Sequence, residues 1–146
     1  MNRPIKFRGI VAENVDDEFG DDLLFRKGQM IYGQVVFDGK TPYIVGPIVE
    51  VNDEYISLEY WCPVDRETLG EFTGFHDKNG VEVYAGDQLE LLNCSPRFWT
   101  VEMDQGCWCG IWRSDGVIDA RCPVAELVAD GATVIGNIHE NPENEQ

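Results

Sequence analysis

The residues best suited to metal or redox chemistry are five cysteines and two histidines. Cys107 and Cys109 are too close for the usual Cys-x-x-Cys zinc knuckle, and no second cysteine pair faces them in the sequence. On a strand, residues two apart share a face, so both thiols can equally be small core side chains. An odd cysteine count without a secretion signal also argues against a disulfide framework. We therefore predict no metal, no cofactor and no disulfide.

Catalytic groups are the second kind of chemistry to consider. The chain contains no Gly-x-Ser-x-Gly elbow, phosphate loop or dinucleotide fingerprint. Asp65 and Asp87 could meet as a carboxylate pair, but Asp65 also suits a helix cap and Asp87 a loop that satisfies backbone amides. Thr68 and Thr73 are interpreted as turn residues in the same way. The sequence predicts a protein that is not an enzyme, with no catalytic residues.

The charge of the chain limits the partners that it can bind. Its 27 acidic and 11 basic residues give a net charge of −16, whereas binding to nucleic acid phosphates needs a positive surface. Six carboxylates fall within residues 13–22, which lack the spacing of a calcium loop and are interpreted as a solvated acidic loop. The simplest role of the acidity is solubility. The alternative is an acidic inhibitor that imitates DNA and occupies a DNA-binding protein.

Residues 64–87 carry the strongest local signals, and the hairpin turn at Asp77-Lys78-Asn79-Gly80 is the clearest of them. Asp suits the first position of a type I turn, and Gly takes a left-handed conformation at low cost. A two-residue Asn79-Gly80 loop would place Asp77 opposite Glu82, a like-charge pair. We prefer a three-residue loop with Gly80 as the bulge. It places three pairs opposite each other: Phe75 and Val83, His76 and Glu82, and Gly74 and Tyr84.

The flanks of this hairpin indicate two further turns. Asp65 is predicted to cap a short helical turn that contains Thr68 and that Gly70 ends. Gly86 is predicted to let the backbone turn sharply before Asp87 and the strand that follows it. His76 is expected to pair with Glu82 on the hairpin surface rather than to bind metal.

The remaining pattern is one of short strands separated by turns. Strand-like segments pair as hairpins at residues 31–37 with 43–45, 48–51 with 54–61, and 98–103 with 107–112, and residues 132–138 form a closing strand. Residues 123–128 fit a helix or a strand equally well. Residues 141–146 are polar, acidic and predicted to be frayed. We predict a mainly β protein: a small barrel-like or strongly twisted antiparallel sheet with one or two short helical turns.

Aromatic residues exceed what a small core needs on its buried face. Strand alternation places some of them outside, where they mark a partner surface or cover glycines and barrel ends. The residues concerned are Trp61, Trp99, Trp108 and Trp112, with Tyr55, Tyr60 and Tyr84. Two hairpins carry apolar residues on both faces, which one small domain has difficulty burying. We therefore predict a homo-oligomer.

Three blocks of the sequence resemble the YopX family of phage and prophage proteins. The central block contributes Asp65, Thr68, Gly70, Thr73, Gly74, Asp77, Asn79, Gly80, Tyr84, Gly86 and Asp87. Residues 4–8 and 135–143 agree at the two ends, whereas residues 10–60 and 93–133 contribute little. Gly9, Arg66 and Ala85 depart from the usual pattern. The resemblance implies one YopX-like domain over residues 1–146 and no established activity.

The function predicted from these observations is binding rather than catalysis. The resemblance implies a bacterial host, and residues 1–8 lack the apolar run of a signal peptide, so we expect a cytoplasmic location. No stretch of eighteen apolar residues indicates a membrane helix. The predicted partner is a second copy of the chain or a host or phage protein, and not nucleic acid or a membrane.

Overall fold

The computed structural model describes residues 4–12 and 25–140, and it divides the chain into two compact units. The N-terminal unit is Ile5–Glu71. The C-terminal unit is Phe72–Gln146 together with Met1–Pro4. The predicted acidic loop at 13–22 and the predicted frayed tail at 141–146 lie outside the described residues. The single domain inferred from the sequence stays a prediction.

Within residues 5–12 and 25–71, the described part of the N-terminal unit has six antiparallel strands and one helical turn. Its strands are β1 (Phe7–Ile10), β2 (Met30–Asp38), β3 (Thr41–Val45), β4 (Ile48–Val51), β5 (Ile56–Leu58) and β6 (Trp61–Pro63). A single 3₁₀ turn, Arg66–Thr68, follows β6. Four strands form one sheet in the order β6-β3-β2-β1, whereas β4 and β5 pair with each other. The core of this unit lies on the sheet face that carries Ile31, Ile44 and Cys62.

The C-terminal unit contains most of strand β7 (Gly70–His76), whose first two residues pair with β1 in the N-terminal unit. The remaining strands are β8 (Glu82–Tyr84), β9 (Asp87–Glu90), β10 (Phe98–Asp104), β11 (Cys107–Ser114), β12 (Val117–Pro123) and β13 (Thr133–Asn137). Five of them form an antiparallel sheet in the order β12-β11-β10-β9-β13. Helix α1 (Val124–Ala129) lies between β12 and β13.

Helix α1 covers one face of this five-stranded sheet. Val124 and Leu127 are buried in a cluster that includes Leu89, Trp99 and Val101. They are three residues apart and therefore lie on the same side of a helix. The sequence left residues 123–128 undecided between helix and strand. Strand β12 ends at Pro123, and helix α1 begins at the next residue. Proline is compatible with this boundary because it has no backbone NH that would need a partner.

The mainly β fold is confirmed, in the form of open, antiparallel sheets among the described residues rather than a closed barrel. The first and third predicted hairpins correspond to β2–β3 and β10–β11. Residues 54–61 are not one strand, because Glu59 and Tyr60 separate β5 from β6, and β6 pairs with β3. Strand β12 was not predicted. Among residues 4–12 and 25–140, no helix has the length and apolar character needed to cross a membrane.

Candidate functional site

The three-residue loop predicted for the central hairpin is present. The NH of Asp77 donates to the carbonyl of Val81 at 2.9 Å, and the NH of Gly80 donates to the carbonyl of Asp77 at 3.0 Å. Gly80 has a φ of 82°, which is the left-handed conformation that this loop requires. His76 and Glu82 lie opposite each other, as predicted. The turn chemistry read from the sequence is therefore confirmed.

Asp77 also has a role that the sequence did not indicate. Its Oδ1 accepts the NH groups of Asn79 at 2.8 Å and Val81 at 2.9 Å, which holds the turn. Its Oδ2 accepts the NH of Val134 at 2.9 Å and so ties the turn to β13. Burial of Asp77 raises its pKa, but the three main-chain donors outweigh burial and leave the pKa below its ordinary value. The carboxylate is a structural ion that links two elements.

The pairing predicted beyond the turn is wrong. Tyr84 lies opposite Phe72 rather than Gly74, because β7 carries extra residues opposite Val83. Gly74 lies within this bulge with a φ of 92°, which favours glycine. Thr73 replaces the lost ladder bonds: its buried hydroxyl donates to the carbonyl of Val83 at 2.8 Å and accepts the NH of Phe75 at 3.1 Å. The bulge makes Thr73 a structural residue.

Asp65 precedes the 3₁₀ turn, but its carboxylate makes no capping hydrogen bond, so that part of the prediction is wrong. Its carbonyl accepts instead from the Thr68 NH at 2.9 Å and the Thr68 hydroxyl at 2.6 Å. The same hydroxyl accepts the NH of Ile10 at 2.8 Å and joins the turn to β1. The turn ends at extended Leu69, and Gly70 already belongs to β7.

The turn predicted at Gly86, on the C-terminal side of the hairpin, is present. Gly86 has a φ of 89°, and its NH and carbonyl bond to Val101 and Ile138, which fixes the corner between β8 and β9. Asp87 is 2 % exposed, and its Oδ2 accepts the NH of Tyr84 at 2.7 Å. Asp65 belongs to the N-terminal unit and Asp87 to the C-terminal unit. The two aspartates therefore belong to different turns: Asp65 precedes the 3₁₀ turn of the N-terminal unit, and Asp87 follows the Gly86 corner of the C-terminal unit.

The five cysteines are free thiols. Cys107 is exposed and Cys109 is buried, although they share a face of β11. Burial, with a hydrogen bond that the Cys109 thiol donates to Cys107, raises the pKa of Cys109 to about 11. Burial, with Glu126 beside it, raises the pKa of Cys122 to about 11. Both thiols stay protonated at neutral pH and are poor nucleophiles.

Metal ligands do not converge elsewhere in the described part of the chain. Across residues 4–12 and 25–140, no group of three or more His, Cys, Asp or Glu side chains could hold a metal ion. His139 lies instead beside Gly86, with its Nε2 3.5 Å from the place of a Cβ at that glycine. The absence of a bound metal or cofactor stays a prediction of the sequence.

The tryptophans divide between core and surface. Trp99 is 6 % exposed and belongs to the core of the C-terminal unit, against which Trp108 and Trp112 pack partly buried. The sequence left these three residues open between a structural role and an interaction surface, and their contacts here are with the core of the C-terminal unit. Trp61 is different, because it is 57 % exposed on the outer face of β6. The surface aromatics therefore belong to the N-terminal unit.

A two-stranded arm, formed by residues 48–58, is the most exposed apolar element of that unit. Strands β4 and β5 pair with each other and with no other strand in the described part of the chain. The pairs Ile48–Leu58 and Val51–Ile56 define one face of the arm, and the pair Glu50–Ser57 defines the other. Ile48, Val51 and Ile56 are 57–61 % exposed. The arm is thus amphipathic, with its apolar face open to solvent.

An open groove lies beside the base of the arm. Its volume is about 380 Å³, and it is lined by Val36, Asp38, Tyr43, Val45, Leu58 and Trp61. The register of β2, β3 and β6 places Val36, Tyr43, Val45 and Trp61 on one face of the sheet. The rings of Tyr43 and Trp61 pack 5.7 Å apart. Because Leu58 belongs both to the groove and to the arm, the two surfaces are continuous.

The arm and groove are the candidate functional site. They offer apolar contact rather than convergent polar groups, which suits protein binding rather than chemistry. Sequence reasoning identified the surplus of apolar residues on residues 31–45, but it did not separate the exposed Trp61 from the more buried tryptophans. The sequence contained a better signal for the arm and groove surface: residues 41–65 contain no Lys, Arg or His among many apolar and acidic residues.

Comparison with known proteins places the chain in a family. The family model described as YopX protein matches residues 6–144. Among solved structures, the chain is similar to protein EF1440 from Enterococcus faecalis, with 23 % sequence identity, a TM-score of 0.53 and 99 % of each chain covered. At this identity the likeness shows the fold alone. No curated protein matches the chain. The chain belongs to the YopX protein family.

Proposed function

We propose that this YopX protein is a protein-binding or self-assembling module without catalytic activity, and that it acts in the cytoplasm of a bacterium that carries phage or prophage. The observation that carries the proposal is the continuous apolar surface formed by the arm and the groove. Monomeric proteins seldom expose large contiguous apolar patches without a use for them. Here the patch includes one exposed tryptophan, a residue type enriched in binding hot spots.

Support also comes from the residues that first suggested chemistry. The hydrogen-bond roles of Thr68, Thr73, Asp77 and Asp87 are structural. The raised pKa values of Cys109 and Cys122 disfavour thiolate chemistry at neutral pH. No described cluster competes with the apolar surface as the place where the protein meets another molecule.

The alternative function is inhibition of a host DNA-binding protein by an acidic, DNA-like surface. The net charge of −16 favours this alternative. An inhibitor of this kind would bind through carboxylates and not through apolar side chains. Its binding would therefore weaken with salt and would survive the loss of the arm.

The proposal predicts that binding depends on the arm. Tagged chain would be incubated with untagged chain in host lysate, once as wild type and once as Val51→Ser with Ile56→Ser. Both side chains are about 60 % exposed, so their replacement changes stability by no more than about 0.5 kcal/mol each. Val117→Ser, at a position 69 % exposed in the C-terminal unit, is the matched control.

We expect wild type and Val117→Ser to retain the same protein, either a second copy or a host protein, and the arm variant to lose it. Retention of an unchanged set of proteins by the arm variant would contradict binding through this surface. If that set were held only at low salt, the DNA-mimic alternative would take its place.

A further inference from the structure

We propose that two copies of the chain associate by exchanging arms, so that the apolar face of each arm fills the groove of the other copy. This inference rests on the proposed function and names its partner as a second copy of this chain. The arm and the groove belong to the same unit, and the apolar face of the arm matches a groove whose lining is apolar apart from Asp38. In a two-fold symmetric dimer, each arm would contact the groove of the other copy, so that the same arm–groove contact would form twice.

The edges of the arm favour face-to-groove contact over pairing of strand edges. Edge strand β4 is preceded by Pro47, carries Glu50 and contains a register shift between Ile48 and Glu50. Each of these features hinders the addition of another strand. Edge strand β5 is only three residues long, which limits the hydrogen bonds that it could add. None of these features hinders contact through the apolar face of the arm.

The charges of the arm leave its apolar face free for contact. Glu50 lies on the opposite face, where its Oε1 accepts the hydroxyl of Tyr55 at 3.0 Å. Asp53 and Glu54 lie in the turn, which the Asn52 side chain closes by accepting the NH of Glu54 at 2.8 Å. Burying the apolar face therefore desolvates no carboxylate of the arm. A foreign partner held by charge would have to approach the other face or the tip.

The area is also of the right size for two copies. Five apolar side chains in the groove and on the apolar face of the arm are each 53–61 % exposed: Val36, Ile48, Val51, Ile56 and Trp61. Together with Tyr43, Val45 and Leu58 they amount to on the order of 600 Å² per copy, compared with about 800 Å² per partner in a standard interface. An area of this size lies at the upper end of what a monomer usually leaves open and approaches what a specific dimer needs.

The other segments of the chain are poorer occupants of the groove. Residues 13–22 contain six carboxylates, and residues 141–146 contain two glutamates and no large apolar side chain. Insertion of either segment into an apolar groove would desolvate carboxylates at high cost. The apolar face of the arm carries no charge, so a second copy fits better than these segments.

Disulfide capture between positions 36 and 56 tests the exchange. In a background with Cys94→Ser and Cys107→Ser, which removes the exposed thiols, one chain would carry Val36→Cys and the other Ile56→Cys. We expect mixing of the two variants under mild oxidation to give a covalent dimer, with a yield about tenfold above that of Val36→Cys mixed with Val117→Cys. The yield should rise from about 0.02 M to about 0.3 M salt, because salt screens the repulsion between two acidic chains.

Two outcomes would overturn the exchange. Equal yields for the two mixtures would show that the groove does not contact the arm of another copy. A covalent dimer formed mainly by Ile56→Cys alone would show that arms pair with each other. The broader proposal is tested separately, because a chain that gives no covalent dimer can still retain a host protein through the arm in the lysate experiment.

Discussion

At the scale of single residues, Asp77 shows how one carboxylate can support both local and long-range structure. Two of its three main-chain bonds lie within the turn and one reaches β13. A carboxylate that accepts several NH groups is held in its charged form. Stability that depends on this ion must therefore depend on pH.

The first prediction concerns Asp77→Asn. An amide cannot accept at all three NH groups as an ion does, so we expect a loss of about 1–3 kcal/mol in the free energy of unfolding at pH 7. The folded pKa of Asp77 lies below its ordinary value of 3.8. Its stabilising effect is therefore fully present above that value and is lost as the pH falls through the folded pKa.

Denaturant unfolding of wild type and variant between pH 7 and pH 3 measures this effect. The difference between the two proteins should stay constant down to about pH 5 and then shrink. Asp65→Asn is the control, because the Asp65 carboxylate makes no capping bond, and it should change stability by less than about 0.5 kcal/mol. A gap between wild type and Asp77→Asn that widens in acid would contradict the assigned role.

The residue scale also shows where sequence reasoning succeeds. The turn contacts of Asp77 and the left-handed Gly80 follow from neighbours within four residues, so they were predictable. The bond from Val134 to Asp77 joins residues 57 positions apart, and only the fold brings them together. The failure at Asp65 has a local cause instead: its carbonyl, and not its carboxylate, accepts the hydrogen bond from Thr68.

At the scale of elements, the hairpin between β7 and β8 depends on a turn that only certain residues can form. A Cβ added at Gly80 would have no atom within 4 Å, so substitution there meets no steric clash. Its backbone conformation is the constraint, since a φ of 82° is unfavourable for β-branched residues. Substitutions at Gly80 therefore test the requirement for positive φ without introducing a steric clash.

The second prediction uses this separation. Gly80→Val should lower the free energy of unfolding by roughly 1–2 kcal/mol, because valine resists positive φ. Gly80→Asn should cost clearly less, since asparagine tolerates the left-handed region. Thermal unfolding of both variants beside wild type is the measurement. If Val and Asn had the same effect, the turn would not depend on the left-handed conformation.

The elements also show why the rest of the fold was hard to predict. Hairpins β2–β3 and β10–β11 follow from alternation and local turns. Strand β12 alternates apolar Ile118, Ala120 and Cys122 with charged Asp119 and Arg121, a pattern that the prediction did not use, and most of its residues are exposed. The break at Tyr60 depends on contacts across the sheet: its hydroxyl donates to the carbonyl of Tyr32 at 3.1 Å. Such pairings are set by tertiary structure.

At the scale of the whole molecule, a strongly acidic chain exposes an apolar surface on one of its two units. Like charges oppose association between copies at long range, and burial of apolar side chains favours it at short range. The sequence predicted self-association from an apolar surplus, but only the structure separates the buried Trp99 from the exposed Trp61. The fraction of the chain that self-associates should therefore depend on the salt concentration, and this dependence can be measured.

The mass of the wild-type chain in solution tests self-association most directly. Light scattering at micromolar concentration would be compared at low and physiological salt, with Val51→Ser/Ile56→Ser as the arm variant. We expect a mass of about twice the 16.5 kDa chain at physiological salt, a lower mass at low salt, and a lower mass for the arm variant. A strictly monomeric mass of 16.5 kDa at every salt concentration would contradict self-association and leave the arm to a foreign partner.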